Sequence, residues 1–394
     1  MSKTEKKKNN AIEFYRFLFS CIIFVLHSRQ YGGFGNEPGH FGGGYLAVEF
    51  FLIVSGMLAA KGIEARMKTA WVKDTSKDLQ SSEDSEATQD AEDAQGLLQS
   101  QNSESSQESL LNRLCRFAPV RAFVGLFRDL YSRYLRLYPD YILSILLLLV
   151  VRRALAPGFC PVFTFKEGLA DVLAIQIFGR SYTINGQLWF VSGLIWASLL
   201  SNFLFRLHSK IYSYIIAPLF LVGFSVASWM NFGTIDLTKS ELMFPWAFAR
   251  CFAMLGLGAT LSRIDFSSIK SGTLKAKLLG LLEIPLLAAA VAIMHLTRHS
   301  FWDYVCIVLL ALLTICAFSG AGLLSRILDN RFSGALGAIS YSMYLHQYTF
   351  QVSALVLFPG RDFATVVLIS LAALIVFSAI LEFTKWPFAF GRSK

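Results

Sequence analysis

Charged side chains are scarce in this sequence. They make up 16% of its residues, whereas a soluble domain has about 25%. Hydrophobic residues account for 54% of the chain, and the mean hydropathy is +0.50. A water-soluble core this apolar would leave too little polar surface to face the solvent. The composition therefore argues against an ordinary soluble domain and is typical of a polytopic membrane protein.

Paired cysteines and the short motifs of many soluble enzymes are also missing. The six cysteines include no CxxC pair and no Cys/His cluster, which argues against a disulfide framework and a zinc site. No P-loop, GxSxG or HExxH motif occurs. We expect no metal and no nucleic-acid partner, because basic loops at one membrane face account for the net charge of +9.

Long apolar runs are what the sequence has instead. A spanning helix needs about 20 mostly apolar residues, and the pattern predicts about ten such helices. The predicted spans are 11–30, 44–62, 137–152, 187–205, 211–230, 245–262, 277–296, 303–320, 336–358 and 363–383. The expected fold class is an all-α polytopic membrane protein that forms a single membrane domain.

Basic residues outside these spans predict the orientation. Lys3, Lys6, Lys7 and Lys8 precede the first span and should hold the N-terminus in the cytoplasm. No small-residue cleavage site follows, so we expect the first span to be retained. The even-numbered connections and the C-terminal tail are also rich in Lys and Arg, whereas the odd-numbered connections are poor in them. Both termini are therefore expected in the cytoplasm, and the protein in the plasma (cytoplasmic) membrane.

Two stretches are not simple spans or loops. Residues 72–110 are acidic, rich in Ser and Gln, and without aromatics, which predicts a disordered insert in the first cytoplasmic loop. The third connection contains a short apolar stretch at 166–180. We expect this stretch to be re-entrant or interfacial, because a further span would invert the charge bias of every later loop.

Ionisable side chains inside the first two spans are the strongest functional signal. Arg16 and His27 are 11 residues apart, which places them on one helix face with an axial separation of about 16 Å. Two such groups on one face favour a polar cavity over the alternatives, which are snorkelling of Arg16 and helix capping by His27. Glu49 lies in the second span at the level of His27. We expect its carboxylate to face the imidazole and raise its basicity, the alternative being a structural hydrogen bond between helices.

These residues carry a family resemblance. Arg16 and His27 at this spacing, followed by "GGGYLAVEFFLIVSG", resemble the acyltransferase 3 family of integral membrane acyltransferases. The segments "RYLRLYP" from Arg133, "GQLWFVSGLIW" from Gly186 and "ISYSMYLHQYTF" from Ile339 are similar to later segments of that family. The similarity covers nearly the whole chain apart from the insert.

The resemblance implies transfer of an acyl group, in the simplest case acetyl, from cytoplasmic acyl-CoA to a hydroxyl. The acceptor would be a carbohydrate or glycolipid, commonly of the cell envelope. His27 is then the leading catalytic candidate, with Glu49 beside it. One departure concerns Leu194, which stands where many family members have a Glu, so no role of that Glu can be transferred to this chain.

The expected substrate site combines cations and aromatic side chains. Arginine matches phosphate groups bidentately and suits the phosphates of coenzyme A. For Arg133 and Arg136, which lie just before the third predicted span, the alternative is plain positive-inside charge. For Trp189 the alternative is packing, and for His346 it is an interhelical hydrogen bond. The expected substrate-binding residues are Arg16, Arg133, Arg136, Trp189, Tyr344 and His346.

Two other functions fit part of this pattern. A transporter or exporter of a lipid-linked glycan would also have about ten spans, but the paired half-repeats and broken helices of many transporters are not visible. A non-catalytic membrane subunit would not need His27. Besides the lipid bilayer, the expected partners are acyl-CoA as donor substrate and a carbohydrate or glycolipid acceptor, and homo-oligomerisation stays open.

Overall fold

The computed structural model describes residues 9–29, 39–88, 118–155, 165–178, 184–238, 244–266, 269 and 273–384. Within these ranges the chain forms helices and no strand. The helices are α1 Asn10–Ser28, α2 Ala47–Thr88, α3 Ala118–Leu155, α4 Phe165–Val172, α5 Trp189–Leu207, α6 Ser209–Phe232, α7 Trp246–Leu261, α8 Leu274–Leu296, α9 Trp302–Ser319, α10 Leu323–Leu328, α11 Arg331–Leu357 and α12 Phe363–Phe383. Short 3₁₀ turns precede α2 and α5.

Local sequence fixes where several of these helices begin and end. The side chain of Asn9 caps α1 by accepting hydrogen bonds from backbone N–H groups of the first turn. Asn330 and Asp362 cap α11 and α12 in the same way. Gly233 and Gly320 end α6 and α9 in the left-handed conformation, which glycine adopts without steric cost.

Eight of the described helices are long and apolar enough to cross a membrane, namely α1, the first part of α2, α3, α5, α6, α8, α9 and α12. This confirms the all-α polytopic fold class. The predicted spans 245–262 and 336–358 correspond to the two remaining long helices. The first of them, α7, is apolar but has only 16 residues. The second, α11, has 27 residues and buries serine, glutamine and histidine side chains, which make it less apolar.

The long helices alternate in direction and give the bundle two ends. One end contains the start of α1 and the end of α12, and we call it the Arg16 end. The opposite end contains the end of α1, the start of α2 and the start of α7, and we call it the His27 end. Because both described chain termini lie at the Arg16 end, they lie on the same side of the bundle.

Two glycines bring α2 and α7 into close, parallel contact. A Cβ atom on Gly56 would overlap the backbone carbonyl of Leu255, and one on Gly258 would overlap the carbonyl of Ile53. Small residues allow helix backbones in a membrane to approach this closely. The two helices are therefore fixed against each other just below the polar groups at their N-termini.

The segment between α3 and α5 turns back without crossing the bundle. Its helix α4 has eight residues, too few to span a bilayer. The Tyr134 hydroxyl, near the middle of α3, donates a 2.9 Å hydrogen bond to the carbonyl of Leu173 just after α4. The returning chain brings Ile184 to within 3.5 Å of Arg152 near the end of α3. The segment thus enters and leaves at the His27 end, in agreement with a re-entrant 166–180 stretch.

The acidic insert differs in part from the expectation. The structure describes residues 72–88 as a continuation of α2, whereas we expected disorder from 72 to 110. This stretch contains several good helix formers, Ala, Glu, Gln, Lys and Leu, which favour extension of a preceding helix. The rest of the insert, 89–110, lies outside the described residues.

Candidate active site

A polar cavity of about 330 Å³ lies at the His27 end of the bundle. Its walls come from the end of α1, the turn before α2, the starts of α2 and α5, the middle of α11, and the connections after α6 and α8. Three of the sequence-predicted site residues, His27, Trp189 and Tyr344, line it. The other polar lining residues are Arg29, Tyr45, Asp236, Thr238 and Arg298.

His27 occupies the last turn of α1. Its ring forms part of the cavity wall, while its Nδ1 atom is buried and has no hydrogen-bond partner among the described residues. The ring therefore has one nitrogen turned into the protein, where the amide of Gln347 and the backbone of Ile23 interact with the imidazole. A neutral imidazole in such a cavity is able to take a proton from a bound hydroxyl group.

Glu49 pairs with an arginine rather than with His27. Its Oε1 atom accepts a 2.6 Å hydrogen bond from the Nε atom of Arg250 in α7, and both side chains are fully buried. A guanidinium keeps its charge in the protein interior, so it requires a carboxylate partner more strongly than a neutral imidazole does. The expected contact between Glu49 and His27 is not made, and this is a correction to the sequence-based site.

Arg250 connects four parts of the structure beside the cavity. Its Nη1 atom donates to Asp236 at 3.1 Å, and its Nη2 atom donates to the backbone carbonyl of Tyr45 at 3.2 Å. The guanidinium carbon also lies 5.0 Å from the ring centre of Trp189, a cation–π distance. The single side chain thus holds the turn before α2, the connection after α6 and the start of α5 around α7.

Asp236 supplies a fixed negative charge to the cavity wall. Its Oδ2 atom lies 3.3 Å from the Nε2 atom of His299. Burial alone would raise the pKa of Asp236, but the hydrogen bond with His299 and the charge of Arg250 outweigh it and hold the pKa of this carboxyl below its usual value. The group is therefore ionised at neutral pH.

A second carboxylate fixes the connection that carries Asp236. Asp303, at the start of α9, accepts a 2.7 Å hydrogen bond from the Tyr45 hydroxyl and another of 2.7 Å from the Thr234 hydroxyl. The Tyr45 hydroxyl in turn accepts a 2.8 Å hydrogen bond from the backbone N–H of His299. These bonds order three loops at the His27 end and define the shape of the cavity wall.

Tyr344 and Trp189 form the aromatic part of the wall. The Tyr344 hydroxyl donates a 2.6 Å hydrogen bond to the backbone carbonyl of Gln187, in the turn that opens α5. The ring of Phe190 packs edge-on against Tyr344 at 5.1 Å. Together with the Arg250 contact on Trp189, this packing makes both rings rigid surfaces rather than mobile side chains.

Arg133 reaches inward from α3. Its Nη1 atom donates a 3.1 Å hydrogen bond to the backbone carbonyl of Leu194, the residue that stands where many family members have a Glu. Leu194 follows Trp189 by five residues on α5, which corresponds to about 7.5 Å along the helix axis. The Arg133 guanidinium thus lies between the level of the cavity and the Arg16 end.

The other two predicted cations lie away from the cavity. Arg16 forms an ion pair of 3.0 Å with Glu13, one turn earlier on α1. Arg136 is exposed on α3. Neither lines the cavity, and both lie toward the Arg16 end of their helices.

His346 is not brought to the cavity. It is fully buried on α11, and its ring packs edge-on against Phe377 of α12 at 5.1 Å. The expectation that His346 lines the substrate site is therefore not supported by its position. The physical reason is helical geometry, because Tyr344 and His346 are two residues apart and project from very different faces of α11.

Among the charged residues at the site that sequence reasoning missed, Arg250 and Asp236 form an ion pair beside the cavity. An available signal was Arg250 itself, an arginine within the predicted span 245–262, since a charge inside a span is a functional candidate by default. Asp236 had no comparable signal, because it lies in a connection whose path depends on Arg250 and His299. Asp236 was accessible only once the helices had been placed.

The described part of the chain holds no group of three or more His, Cys, Asp or Glu side chains that could bind a metal ion. In comparisons with known proteins, the family model of an acyltransferase domain, acyltransferase 3, matches residues 117–383. The match includes Arg133, Trp189, Arg250 and Tyr344, and it begins after α1 and α2. No curated protein and no solved structure matches the chain.

Proposed function

Because the chain belongs to the acyltransferase 3 family, we propose that this membrane acyltransferase moves an acyl group, in the simplest case acetyl, from acyl-CoA to a hydroxyl of a carbohydrate acceptor. The observation that carries the proposal is the position of His27, whose imidazole lines a cavity inside a membrane bundle. This is the arrangement that general-base catalysis on a hydroxyl requires.

The distribution of basic residues supports a cytoplasmic Arg16 end. At that end the described helices carry Arg66, Lys68, Arg128, Arg206, Lys210, Arg263, Lys275, Lys277, Arg326 and Arg331. At the His27 end they and their connections carry Arg29, Arg152, Arg153, Arg298 and Arg361. By the positive-inside rule the richer end faces the cytoplasm, which places the donor on that side of a plasma membrane and the cavity on the other.

The donor must extend along the bundle to reach His27. Arg16 lies about 16 Å from His27 along α1, too far for both to contact one thioester. Arg133 lies between these levels, through its hydrogen bond to Leu194. We assign the coenzyme A phosphates to the Arg16 end, where Arg136 is exposed. Arg133 would contact the part of the donor that lies closer to the cavity.

The chemical step uses His27 as the base. Its imidazole takes the proton of the acceptor hydroxyl as that oxygen attacks the thioester carbonyl. The C–S bond breaks, the ester forms, and coenzyme A leaves as a thiolate that then receives the proton. The carboxylate of Asp236, in the same cavity wall, stabilises the transient positive charge on His27.

The cavity lining suits a carbohydrate. Tyr45, Trp189 and Tyr344 offer aromatic surfaces on which a sugar ring can rest, and Asp236 and Thr238 offer hydrogen-bonding groups for hydroxyls. A mainly apolar or aromatic wall with a few placed polar groups is the usual design of a small-molecule site. A hydroxyl bound there would lie beside the imidazole of His27.

The decisive experiment is acyl transfer by the purified protein. Detergent-solubilised protein is mixed with acetyl-CoA carrying an isotope-labelled acetyl group and with an extract of envelope glycans from the host cells. We expect release of free coenzyme A thiol and a labelled acetyl mass on a glycan. His27→Ala should lower the rate by about 10²–10⁴-fold, the usual contribution of a general base.

The matched control is Ser20→Ala, on the same helix. The Ser20 hydroxyl donates to the backbone carbonyl of Ser340 at 3.2 Å and is remote from the cavity wall, so its loss should leave the rate near that of the wild type. A folded His27→Ala protein that transfers acetyl at the wild-type rate would disprove the role of His27. A folded wild-type protein that releases no coenzyme A thiol and labels no glycan would disprove acyl transfer from acetyl-CoA to these acceptors.

A further inference from the structure

Two side chains at the contact between α1 and α11 have buried atoms that are within full hydrogen-bond geometry of no other described residue. One is His27, through its Nδ1 atom, and the other is Gln347, through both amide atoms. Gln347 is only 1% exposed. A buried polar group without a partner costs about 1–3 kcal/mol, so unmade hydrogen bonds in a native core require a physical explanation.

Hydrogen bonds on either side of Gln347 show which face of α11 packs against α1. Toward the Arg16 end, the Ser20 hydroxyl donates to the carbonyl of Ser340 at 3.2 Å. Toward the His27 end, the Gln351 amide donates to the carbonyl of Phe24 at 3.0 Å. Gln347 follows Ser340 by seven residues and precedes Gln351 by four, so all three share one face of α11. That face is turned toward α1.

The amide of Gln347 meets the imidazole of His27 at this contact, and the two side chains interact. The atom of His27 that is buried on this side is Nδ1, while the ring as a whole lines the cavity. A carbonyl oxygen facing Nδ1 can accept its proton in a hydrogen bond. A histidine whose Nδ1 carries the proton has its lone pair on Nε2.

We propose that Gln347 is a positioning residue for His27, in which the amide oxygen of Gln347 accepts a hydrogen bond from Nδ1–H and keeps the Nε2 lone pair directed into the cavity. The proposal rests on the assignment of His27 as the catalytic base and extends it to the tautomer that the base must have. The contact gives a partner to two of the three buried atoms, Nδ1 of His27 and Oε1 of Gln347.

The backbone carbonyl of Ile23, one turn earlier on α1, also interacts with the His27 ring, and it is unchanged in every Gln347 variant. His346, the next residue to Gln347, faces Phe377 on α12. The charged and titratable groups that face His27 come from the turn before α2, the connections after α6 and α8, the chain after α1, and α11. They are Tyr45, Asp236, Arg298, Arg29 and Tyr344, with the buried Glu49–Arg250 pair behind them. These groups are identical in every Gln347 variant, so differences between variants report on Gln347 alone.

The first measurement needs no substitution. In protein labelled with ¹⁵N-histidine, the ring nitrogen shifts distinguish a proton on Nδ1 from one on Nε2, and loss of one signal in His27→Ala assigns it. We expect His27 in the purified, full-length protein to carry its proton on Nδ1 at neutral pH. A predominant Nε2–H tautomer would overturn the proposal.

The second measurement compares Gln347→Glu with Gln347→Met. A glutamate keeps the acceptor oxygen and adds a charge, whereas a methionine keeps the length and loses the acceptor. Carbethoxylation of His27 by diethyl pyrocarbonate, followed by peptide mass spectrometry, reports the fraction of unprotonated ring. In Gln347→Glu the midpoint should move to higher pH by about one unit or more, because an adjacent carboxylate favours the charged imidazole. The Gln347→Met and Ser20→Ala proteins should show no upward movement.

Turnover provides the third comparison. With acetyl-CoA as donor and the glycan extract as acceptor, Gln347→Met should lower kcat about tenfold or more and leave the KM for acetyl-CoA unchanged. Gln347→Glu should retain activity, with the acidic limb of its pH profile moved to higher pH. An unchanged kcat in Gln347→Met, or a wild-type midpoint in a folded Gln347→Glu protein, would overturn the positioning role. Full turnover in His27→Ala would instead overturn the proposed function while leaving the tautomer and titration results as they are.

Discussion

The inner and outer helices of the bundle differ in what they carry. In the most apolar stretch of α5, 78% of the residues are buried, against 22% in α12. The outer helix α12 has the highest mean hydropathy of the spans, 2.7, and contributes nothing to the cavity wall. The less conspicuous helices α7 and α11 carry Arg250 and Tyr344. Hydropathy is thus highest where the chain meets lipid and lower where the chemistry is placed.

The difference follows from the cost of polar groups in a bilayer. A polar side chain facing lipid has no partner, whereas one facing other helices can find a hydrogen bond or an opposite charge. The inner helices can therefore hold an ion pair such as Glu49–Arg250, provided that each member is present. The first two comparisons below set an inner position against a less buried one, at Arg250 and at Gly258.

The largest effect is expected at Arg250. Arg250→Gln leaves the carboxylates of Glu49 and Asp236 without their cation in the core, and breaking a buried ion pair costs about 3–5 kcal/mol. Arg361→Gln removes a cation from the exposed loop before α12 and should cost no more than about 1 kcal/mol. The measurement is the thermal unfolding midpoint of each protein in the same detergent.

A double variant tests whether the loss at Arg250 is electrostatic. Glu49→Gln combined with Arg250→Gln removes both charges and should recover part of the stability lost in Arg250→Gln. Equal unfolding midpoints for Arg250→Gln and Arg361→Gln would show that the ion pair does not hold the inner helices together. A double variant no more stable than Arg250→Gln would point to packing rather than charge.

A smaller effect is expected at the glycine contact between α2 and α7. Gly258→Ala places a Cβ atom against the backbone carbonyl of Ile53, and such overpacking costs about 1–3 kcal/mol. A Cβ atom added to Gly223 on α6 would meet open space. Gly223→Ala should therefore be neutral or stabilise the helix slightly. Unfolding midpoints of the two alanine variants measure the contrast, and equal values would contradict the close approach of the inner helices.

Most of the fold could be predicted from the sequence. Apolar runs of about 20 residues, interrupted by basic loops, identify spans because a bilayer imposes that length on any helix crossing it. The positions of α7 and α11 inside the bundle could not be predicted, because hydropathy reports composition and contains no information about neighbours. The helical continuation of α2 over 72–88 was also missed, since acidic and Ser-rich composition favours disorder in isolation but does not describe a segment attached to a long helix.

Residues of the site could be predicted where the signal lies in one segment of the sequence, as for His27, Trp189 and Tyr344, but their partners on other helices could not. The spacing of Arg16 and His27 predicted one cavity shared by both, and the structure has His27 in a cavity wall and Arg16 away from it. The partner of Glu49 lies on α7, which begins almost 200 residues later. The depth of Glu49 along its own span was therefore not enough to choose between His27 and Arg250 as its partner. His346 was misplaced because a local segment cannot show which of its faces meets α12 and which meets the cavity.

The smallest of these effects concerns Asp236, which pairs with Arg250 and lines the cavity. Glu49, Arg250 and Asp236 form a chain of ion pairs, which we call the inner network. The pKa of Asp236 lies below its usual value, so its charge stabilises the folded state at neutral pH, and that stability is lost as the pH falls through the folded-state pKa. Asp236→Asn should therefore lower the unfolding free energy by about 1 kcal/mol near pH 7, and the gap from the wild type should close below about pH 4. Unfolding midpoints between pH 3 and 7 measure the gap. A difference in stability between the two proteins that stays constant with pH would mean that Asp236 acts through its hydrogen bonds alone. The stabilising charges of the inner network would then be those of Glu49 and Arg250.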